Sequence, residues 1–491
     1  MALSTFLWIS LQSGNIDHFF RPVNYSSFFK EGIRAIYPII AASWALVVIF
    51  NKLYHRKAKL NVYLTPLGLM LVYGTIGFAS ALFSIDVSIS LYWTGLYLSV
   101  PLVLLGVIWE EDGLDRLHLL LNITWLAILA VTVVLFIVAL AKLNLAGSIL
   151  HPHDVLTCKS IAPWHGLTSG VLRSTGVGRY AAIAAIIAVS FLLRTKGWRT
   201  SGRNRYIQIL WIALLIGAVI LLLSTGARTS IVGAIFGALA VFLLYGGKKG
   251  ILITVVAIVA YIPLGLGTGI HNDFLDGCIF TGLDRTSSSV QAVVPAVVPA
   301  VVPAVVPAVV PGGESTGGQV APESGGDELQ PDPNKPYQLI GQILIPRSFF
   351  NLSGRTRIWE DGLDAIGDSL LLGHGFQADR LLLGTHMHNA FLQSFIQTGI
   401  LGATAFMAAV VLGWILTIRN LRNLNKLAPS TRHTMILTTG LLVFLSIRSI
   451  PESTGAFFGV DLLILAPVLL YIETVARSIS SRSENPVPSI S

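Results

Sequence analysis

The chain has 491 residues, of which 53% are hydrophobic and only 12% are charged, and its mean hydropathy is +0.72. No water-soluble globular protein of this length tolerates so apolar a composition, so the sequence predicts a membrane protein with many spans. The formal net charge of +8 comes largely from short loops between apolar stretches, so it reports orientation in a membrane and not nucleic-acid binding.

Eleven windows of roughly 15 to 22 apolar residues are long enough to cross a membrane as helices. They lie near 33–50, 64–83, 89–108, 118–140, 178–193, 207–223, 230–245, 251–265, 400–418, 433–449 and 459–475. Polar residues interrupt 1–20, which favours an interfacial segment and leaves a twelfth span open. The prediction is an all-α polytopic membrane protein with about 11–12 transmembrane helices.

Lysine and arginine in short loops indicate which membrane side is cytoplasmic, because these residues resist translocation. They concentrate in the connectors after the first, fifth, seventh and ninth spans, whereas 84–88 and 451–458 contain none. The connectors 84–88, 141–177, 224–229, 266–399 and 451–458 then lie outside the cytoplasm. The predicted organisation is an N-terminal bundle (1–265), a large outer loop (266–399), C-terminal helices (400–475) and a cytoplasmic tail (476–491).

Several outer connectors contain candidate anion-binding arginines. Arg173 and Arg179 flank two glycines before the fifth span, and Arg228 lies in the tight hairpin STGARTS between the sixth and seventh. Glycines let backbone amides approach an anion, and a guanidinium gives it forked hydrogen bonds. A charge this close to the hydrocarbon is usually functional, which favours Arg228, whereas Arg179 could equally snorkel to the interface.

No credible metal site is predicted. His151, His153 and Asp154 are suitable zinc ligands, but they lie on a proline-containing loop without fixed geometry. Cys158 and Cys278 both fall on outer connectors, where a disulfide between them is possible.

The large loop contains an insertion at 286–336. Five Ala-Val-Val-Pro units run from Ala292 to Pro311, and a Gly-, Pro- and acid-rich stretch follows. Proline at every fourth position excludes a transmembrane helix, so the repeat is predicted to be extended and the following stretch to be a disordered linker. A helical segment is predicted over 351–399, with Trp359, Leu363, Ile366 and Leu370 on one apolar face and Arg355 one turn earlier.

The end of the loop contains the main catalytic candidate. His388 opens a polar stripe formed by Asn389, Gln393 and Gln397, which recur every four residues along a predicted helix. A neutral imidazole can accept a proton near neutral pH, so His388 is the candidate base and His386 its nearest substitute. The alternative is an interfacial histidine that only hydrogen-bonds a helix start.

These motifs together resemble a known family. STGARTS, GRTRIW, LLGHGF and HNAFLQSFIQTGILG occur in the order seen in the O-antigen ligase and O-antigen polymerase superfamily of bacterial inner membranes. The resemblance covers 170–270 and 350–470 and implies a GT-C-like fold with an active site facing the periplasm. His388 is similar to the family's loop histidine, Arg228 to its short-loop arginine, and Arg355 to the arginine four residues before the loop tryptophan. The proline repeat is not part of the family pattern.

The resemblance implies a glycosyltransferase that moves a glycan from undecaprenyl pyrophosphate to an acceptor hydroxyl, such as that of lipid A-core, with inversion and without a metal or other cofactor. Arg173, Arg179 and Arg448 are further candidates for binding the pyrophosphate, and Asn389, Gln393 and His386 are supporting candidates. The expected partners are the lipid-linked glycan, a lipid or glycolipid acceptor and the bilayer. An O-antigen polymerase, a protein O-oligosaccharyltransferase, a small-anion transporter and a nonenzymatic scaffold remain open alternatives.

Overall fold

The structure is a computed structural model. It describes residues 8, 27–55, 64–108, 113–145, 174–195, 202–225, 227, 229–246, 337–340, 343–346 and 355–484. The chain divides into two compact units, one formed by Met1–Ile279 with Gly354–Ser491 and the other by Phe280–Ser353. The second contains an antiparallel hairpin of β1 (Tyr337–Ile340) and β2 (Ile343–Pro346), in which Tyr337 pairs with Pro346.

The first unit is helical throughout its described residues, apart from connecting turns. Its helices are α1 (Ser27–Tyr54), α2 (Pro66–Ala81), α3 (Val87–Ile108), α4 (Gly113–Leu145), α5 (Ser174–Thr195), α6 (Gly202–Ser224), α7 (Thr229–Gly246), α8 (Arg355–Asp368), α9 (Ala378–Leu383), α10 (Ala390–Arg422), α11 (Pro429–Ser449) and α12 (Val460–Glu484), with a 3₁₀ turn at Leu424–Lys426.

Seven described helices are long and apolar enough to cross a membrane, namely α3 to α7, α10 and α12. Two shorter apolar helices, Pro38–Tyr54 and Pro66–Ala81, and the more polar α11 match three further predicted windows. The predicted window 251–265 lies outside the described residues. The all-α polytopic membrane fold is therefore confirmed, with the small β hairpin as an addition.

Helix α10 is broken at Gly399, where φ is 59° and ψ is −165°. The backbone of the LLGHGF segment fills the break: His374 N donates to Ile396 O at 2.9 Å, and Ile400 N donates to Leu370 O at 2.8 Å. A Cβ on Gly399 would lie 2.3 Å from the carbonyl carbon of Leu371, so only glycine fits. The helix after the break is about 35 Å long at 1.5 Å per residue, enough to span the hydrocarbon core.

Phe376, which ends the LLGHGF segment, anchors it between α2 and α3. Its ring is fully buried and lies 5.5 Å from the ring of Tyr73 and 5.4 Å from that of Tyr97. Gly77 on α2 provides the space, since a Cβ there would come within 2.5 Å of the Phe376 ring. The segment that precedes the two candidate histidines is therefore packed into the helical core.

A second close contact joins α7 to α11. A Cβ on Gly237 would lie 2.8 Å from the carbonyl oxygen of Gly440, and a Cβ on Gly440 would lie 2.9 Å from that of Gly237. Small residues of this kind let two membrane helices approach closely. The contact brings the start of α7, including Ser230, beside the end of α11.

Candidate functional site

The candidate base His388 lies on a short loop between α9 and α10, and its neighbours fix that loop on both sides. Trp359 Nε1 donates to Met387 O at 2.7 Å. The Asn389 side chain caps α10 by accepting from Phe391 N at 2.9 Å, and its Nδ2 donates to Ile450 O at 2.9 Å. His388 itself has φ of 49°, an uncommon conformation for a non-glycine residue that the surrounding bonds sustain.

The His388 ring faces a carboxylate that the sequence analysis did not select. His388 Nδ1 lies 3.5 Å from Glu452 Oε2, and Arg355 Nη2 lies 3.3 Å from Glu452 Oε1. Arg355 Nη1 also donates to Pro451 O. Glu452 therefore bridges two residues that come from opposite ends of the 355–388 segment. The His388 side chain is 32% exposed, so its ring remains accessible from outside the protein.

Glu452 is an ionised carboxylate at any working pH. Burial by itself would raise the pKa of Glu452, but the hydrogen bond from His388 and the positive charges of Arg448 and Arg355 outweigh that effect and lower the pKa to about 2. With the carboxylate next to Nδ1, the His388 tautomer that carries its proton on Nδ1 is favoured. Its Nε2 then has a free lone pair and can accept a proton.

His386 forms a second histidine–carboxylate pair beside the first. Its Nδ1 lies 2.9 Å from Oδ2 of Asp379, whose side chain is completely buried, and its Nε2 accepts from Arg380 Nε at 3.0 Å. The ring stacks on Phe457 at a centroid distance of 5.4 Å. Both His386 nitrogens are thus engaged, whereas among the residues that the structure describes His388 is bonded only through Nδ1, so the geometry favours His388 as the base.

The predicted polar stripe lies along the start of α10 and ties that helix to the loop 451–459. Gln393 and Gln397 are buried; Ser453 Oγ donates to Gln393 Oε1 at 3.1 Å, and the Tyr73 hydroxyl lies 3.0 Å from Gln397 Oε1 and 2.7 Å from Ala456 O. The amide groups therefore hold the loop that carries Glu452 against the helix that begins after His388.

Two further candidate arginines share one carboxylate behind this surface. Arg179 Nε lies 3.3 Å from Asp461 Oδ1, and Arg448 Nη2 lies 3.7 Å from Asp461 Oδ2. Arg448 also donates through Nη1 to Ser230 Oγ at 2.6 Å. The Arg448 side chain is only 1% exposed, so an anion outside the protein does not reach it in this structure. Arg179, at 21% exposed, is more accessible.

Four candidates from the sequence, Arg173, Arg228, Cys158 and Cys278, lie outside the described residues, as do the insertion 286–336 and the histidines of 151–153. The possible disulfide and the anion-binding roles of these arginines stay predictions. Within the described ranges, no cluster of three or more His, Cys, Asp or Glu side chains could hold a metal ion.

The predicted apolar face of α8 is partly wrong. Leu363 and Leu370 are 54% and 53% exposed, whereas Ile366 and Gly362 are buried and Trp359 is half-buried. The Trp359 indole donates a hydrogen bond to Met387 O, and the buried Met387 side chain fills the space beside Gly362. These two contacts determine which face of α8 is buried. The helical spacing of apolar residues did not predict the hydrogen bond between Trp359 and Met387.

Three acidic residues of the site, Glu452, Asp461 and Asp379, were not predicted from the sequence. One signal was available for the first, because Glu452 is the only charged residue in the connector 451–458. A lone carboxylate at the end of a span is costly unless it has a partner. No such signal marked Asp379, which lies in an ordinary helical turn.

Comparison with known proteins gives one finding. Residues 212–407 match the model of a family described as O-antigen ligase. No curated protein matches the chain. The matched region runs from α6 to the part of α10 just beyond its break, and it includes Arg355, His386 and His388 but ends before Glu452. The resemblance read from the motifs is thereby confirmed over this region, which is similar to the O-antigen ligase family.

Proposed function

We propose that this protein is a membrane glycosyltransferase that moves a glycan from undecaprenyl pyrophosphate to an acceptor hydroxyl at the periplasmic face of a bacterial inner membrane. The observation that carries the proposal is His388, an accessible histidine held beside an ionised carboxylate at the end of a membrane helix bundle, within the region that matches the O-antigen ligase family. The proposed acceptor is the hydroxyl of lipid A-core.

In the proposed reaction, His388 Nε2 takes the proton of the acceptor hydroxyl as that oxygen forms a bond to the anomeric carbon. The bond between the anomeric carbon and the pyrophosphate oxygen breaks, and the leaving undecaprenyl pyrophosphate keeps the electron pair. Attack from the face opposite the leaving group inverts the anomeric centre. Arg228 and Arg355 are the proposed cations that stabilise the negative charge on the leaving group, with Arg173, Arg179 and Arg448 as further candidates.

A small-anion transporter would also present arginines at a membrane surface, and the broken helix α10 is a feature that transporters share. In transporters, however, the break lines the substrate cavity. Here the backbone groups at the break bond to residues 370–375 of the same chain, and the adjacent Gln397 side chain is buried on Tyr73. This closed break favours the enzyme.

The first test is His388→Ala in a deletion strain whose surface glycans are compared with those of the wild type. We expect transfer to be abolished while protein level and membrane insertion stay unchanged, because the proton acceptor is lost. His55→Ala is a matched control, since this exposed histidine lies at the end of α1 and contacts only Tyr54 among the described rings. Near-wild-type transfer by His388→Ala would remove His388 from the mechanism and make His386 the next candidate.

The second test concerns the cations. Arg228→Lys and Arg355→Lys keep the charge but lose the forked donor geometry, so both should transfer poorly. Full activity of both variants would indicate bulk electrostatics instead. Transfer should also persist in EDTA, and a loss that a divalent ion restores would contradict the metal-independent mechanism. Which surface glycan disappears in the deletion strain distinguishes a ligase from a polymerase and from a protein O-oligosaccharyltransferase.

A further inference from the structure

We infer that Glu452 is the positioning residue of the site: it orients His388 through Nδ1 and is itself held in place by Arg355. The inference rests on the proposed function, because it assigns the group through which the proposed base is prepared. Glu452 lies outside the family-matched region 212–407. Its role is inferred from its contacts with His388 and Arg355.

The position of Glu452 is fixed independently of His388. The preceding Ile450 carbonyl accepts from Asn389 Nδ2, the Pro451 carbonyl accepts from Arg355, and the following Ser453 hydroxyl donates to buried Gln393. The connector is therefore hydrogen-bonded at three residues next to Glu452 to side chains of α8, of α10 and of the residue before α10. Its two oxygens point to different partners, Oε2 to His388 and Oε1 to Arg355.

A carboxylate in this position does two things for a histidine base. It accepts from Nδ1–H, which fixes the tautomer and the ring orientation so that Nε2 faces the acceptor. It also stabilises the imidazolium that forms when Nε2 takes the proton. His388 sits in a strained backbone conformation with its ring one-third exposed, so without the carboxylate the ring would be free to turn.

The charged groups around the pair define how Arg355 acts. Arg355 from α8 and Arg448 from α11 lie on the Glu452 side, and His386, paired with Asp379, lies 6.2 Å from the His388 ring. Since both terminal nitrogens of Arg355 are directed at Glu452 and Pro451, we expect this arginine to act on catalysis through the carboxylate in addition to its proposed pyrophosphate contact. Loss of the pyrophosphate contact would appear separately, as a higher KM for the lipid-linked donor.

The experiment compares the purified full-length wild type with Glu452→Gln, Glu452→Asp and the control Glu360→Gln. Glu360 is an exposed carboxylate on the helix that begins with Arg355, so its variant removes a carboxylate charge near Arg355 without touching the His388–Glu452 pair. Glu452→Gln should lower kcat by about 10²-fold or more with the donor KM within a few-fold of wild type, because general-base efficiency falls when the base is misoriented. Glu452→Asp, which keeps the charge, should recover part of the loss.

The pH dependence of the transfer rate distinguishes positioning from a purely structural role, which would leave that dependence unchanged. Without the carboxylate the imidazolium is less stable, so the acid limb of the Glu452→Gln rate profile should shift to lower pH. The same shift should appear in the carbethoxylation of His388 by diethyl pyrocarbonate, followed by mass spectrometry, which needs no substrate. Arg355→Lys should reproduce a weaker form of both shifts.

The outcomes separate the two proposals. A shifted carbethoxylation profile in a protein that transfers no glycan would refute the proposed function and leave the positioning role intact. Conversely, Glu452→Gln would overturn the positioning role if its kcat lay within about twofold of Glu360→Gln and its carbethoxylation profile matched that of the wild type. If Glu452→Gln fails to purify, Glu452→Asp takes its place. A kcat between those of the wild type and His388→Ala supports the role, since the charge is kept but moved. A loss as large as that of His388→Ala with no pH shift overturns it.

Discussion

Replacing Gly399 with alanine should destabilise the fold more than any other single glycine substitution in α10. The residue has φ of 59° and ψ of −165°, a region that only glycine enters freely, and a Cβ there would lie 2.3 Å from Leu371 C, 2.4 Å from Leu371 O and 2.5 Å from Leu372 N. All three atoms are backbone, so no side-chain rotation relieves the overlap.

The magnitude follows from two contributions. Forcing alanine into this backbone region costs about 1–3 kcal/mol. Separating the two chain segments also weakens the bonds from Ile400 N to Leu370 O and from Leu401 N to Leu371 O, at about 1 kcal/mol each. The total of about 3–5 kcal/mol is a large fraction of a typical net stability of about 5–15 kcal/mol.

The assay is the apparent melting temperature of the purified protein in detergent, followed by size-exclusion chromatography after heating. Gly367→Ala is the matched control, because this residue lies in α8 and its added Cβ would meet nothing within 4 Å. We expect Gly399→Ala to melt roughly 5 °C or more below the wild type, and Gly367→Ala to melt at or slightly above it, since alanine is favoured over glycine in a helix. Equal melting temperatures for the two variants would refute the interpretation of the break.

Three further predictions follow from other features. Trp359→Phe removes the bond to Met387 O, so it should lower stability by about 1 kcal/mol and reduce transfer several-fold through a looser His388 loop; unchanged transfer would show that the bond is not needed. Deleting 286–336 and rejoining the ends with a short Gly/Ser linker should leave transfer measurable, because the sequence predicts a disordered insertion and such insertions cost little to remove. Complete loss with intact expression would contradict this. The pKa of Glu452 is lowered from 4.5 to about 2, so the contribution of this carboxylate to stability is fully present above pH 4.5 and should be lost as the pH falls to about 2. In Glu452→Gln, the melting temperature should therefore change less with pH between 4.5 and 2 than in the wild type. The same pH dependence in both proteins would argue against the ion pairs.

The membrane architecture could be predicted from the sequence because the physical requirement is simple. A span needs a long apolar stretch, and such a stretch can be recognised in the sequence whatever the helix packs against in the fold. The sequence analysis assigned Asn389 to a polar stripe along the helix, whereas the structure places it at the N-cap of α10, a position that its residue type favours.

The site itself was only partly predictable, because its defining contacts join residues far apart in the chain. Nothing local connects Glu452 to His388, or Asp461 to Arg179, and these pairs form only when helices assemble. The break at Gly399 was also invisible, since the residues on both sides favour a continuous helix and the break is stabilised by a segment some 25 residues upstream.

The buried ion pair between Arg448 and Asp461 has a consequence for how the protein is made. Arg448 ends α11, a helix that falls short of the apolar spans, and Asp461 begins α12. During synthesis α11 leaves the ribosome first, and an unpaired arginine in its last turn adds to the cost of inserting this helix alone. The charge is neutralised only once α12 follows, so we expect the two helices to enter the membrane together as a hairpin. A chain truncated after residue 455 should therefore leave α11 poorly inserted.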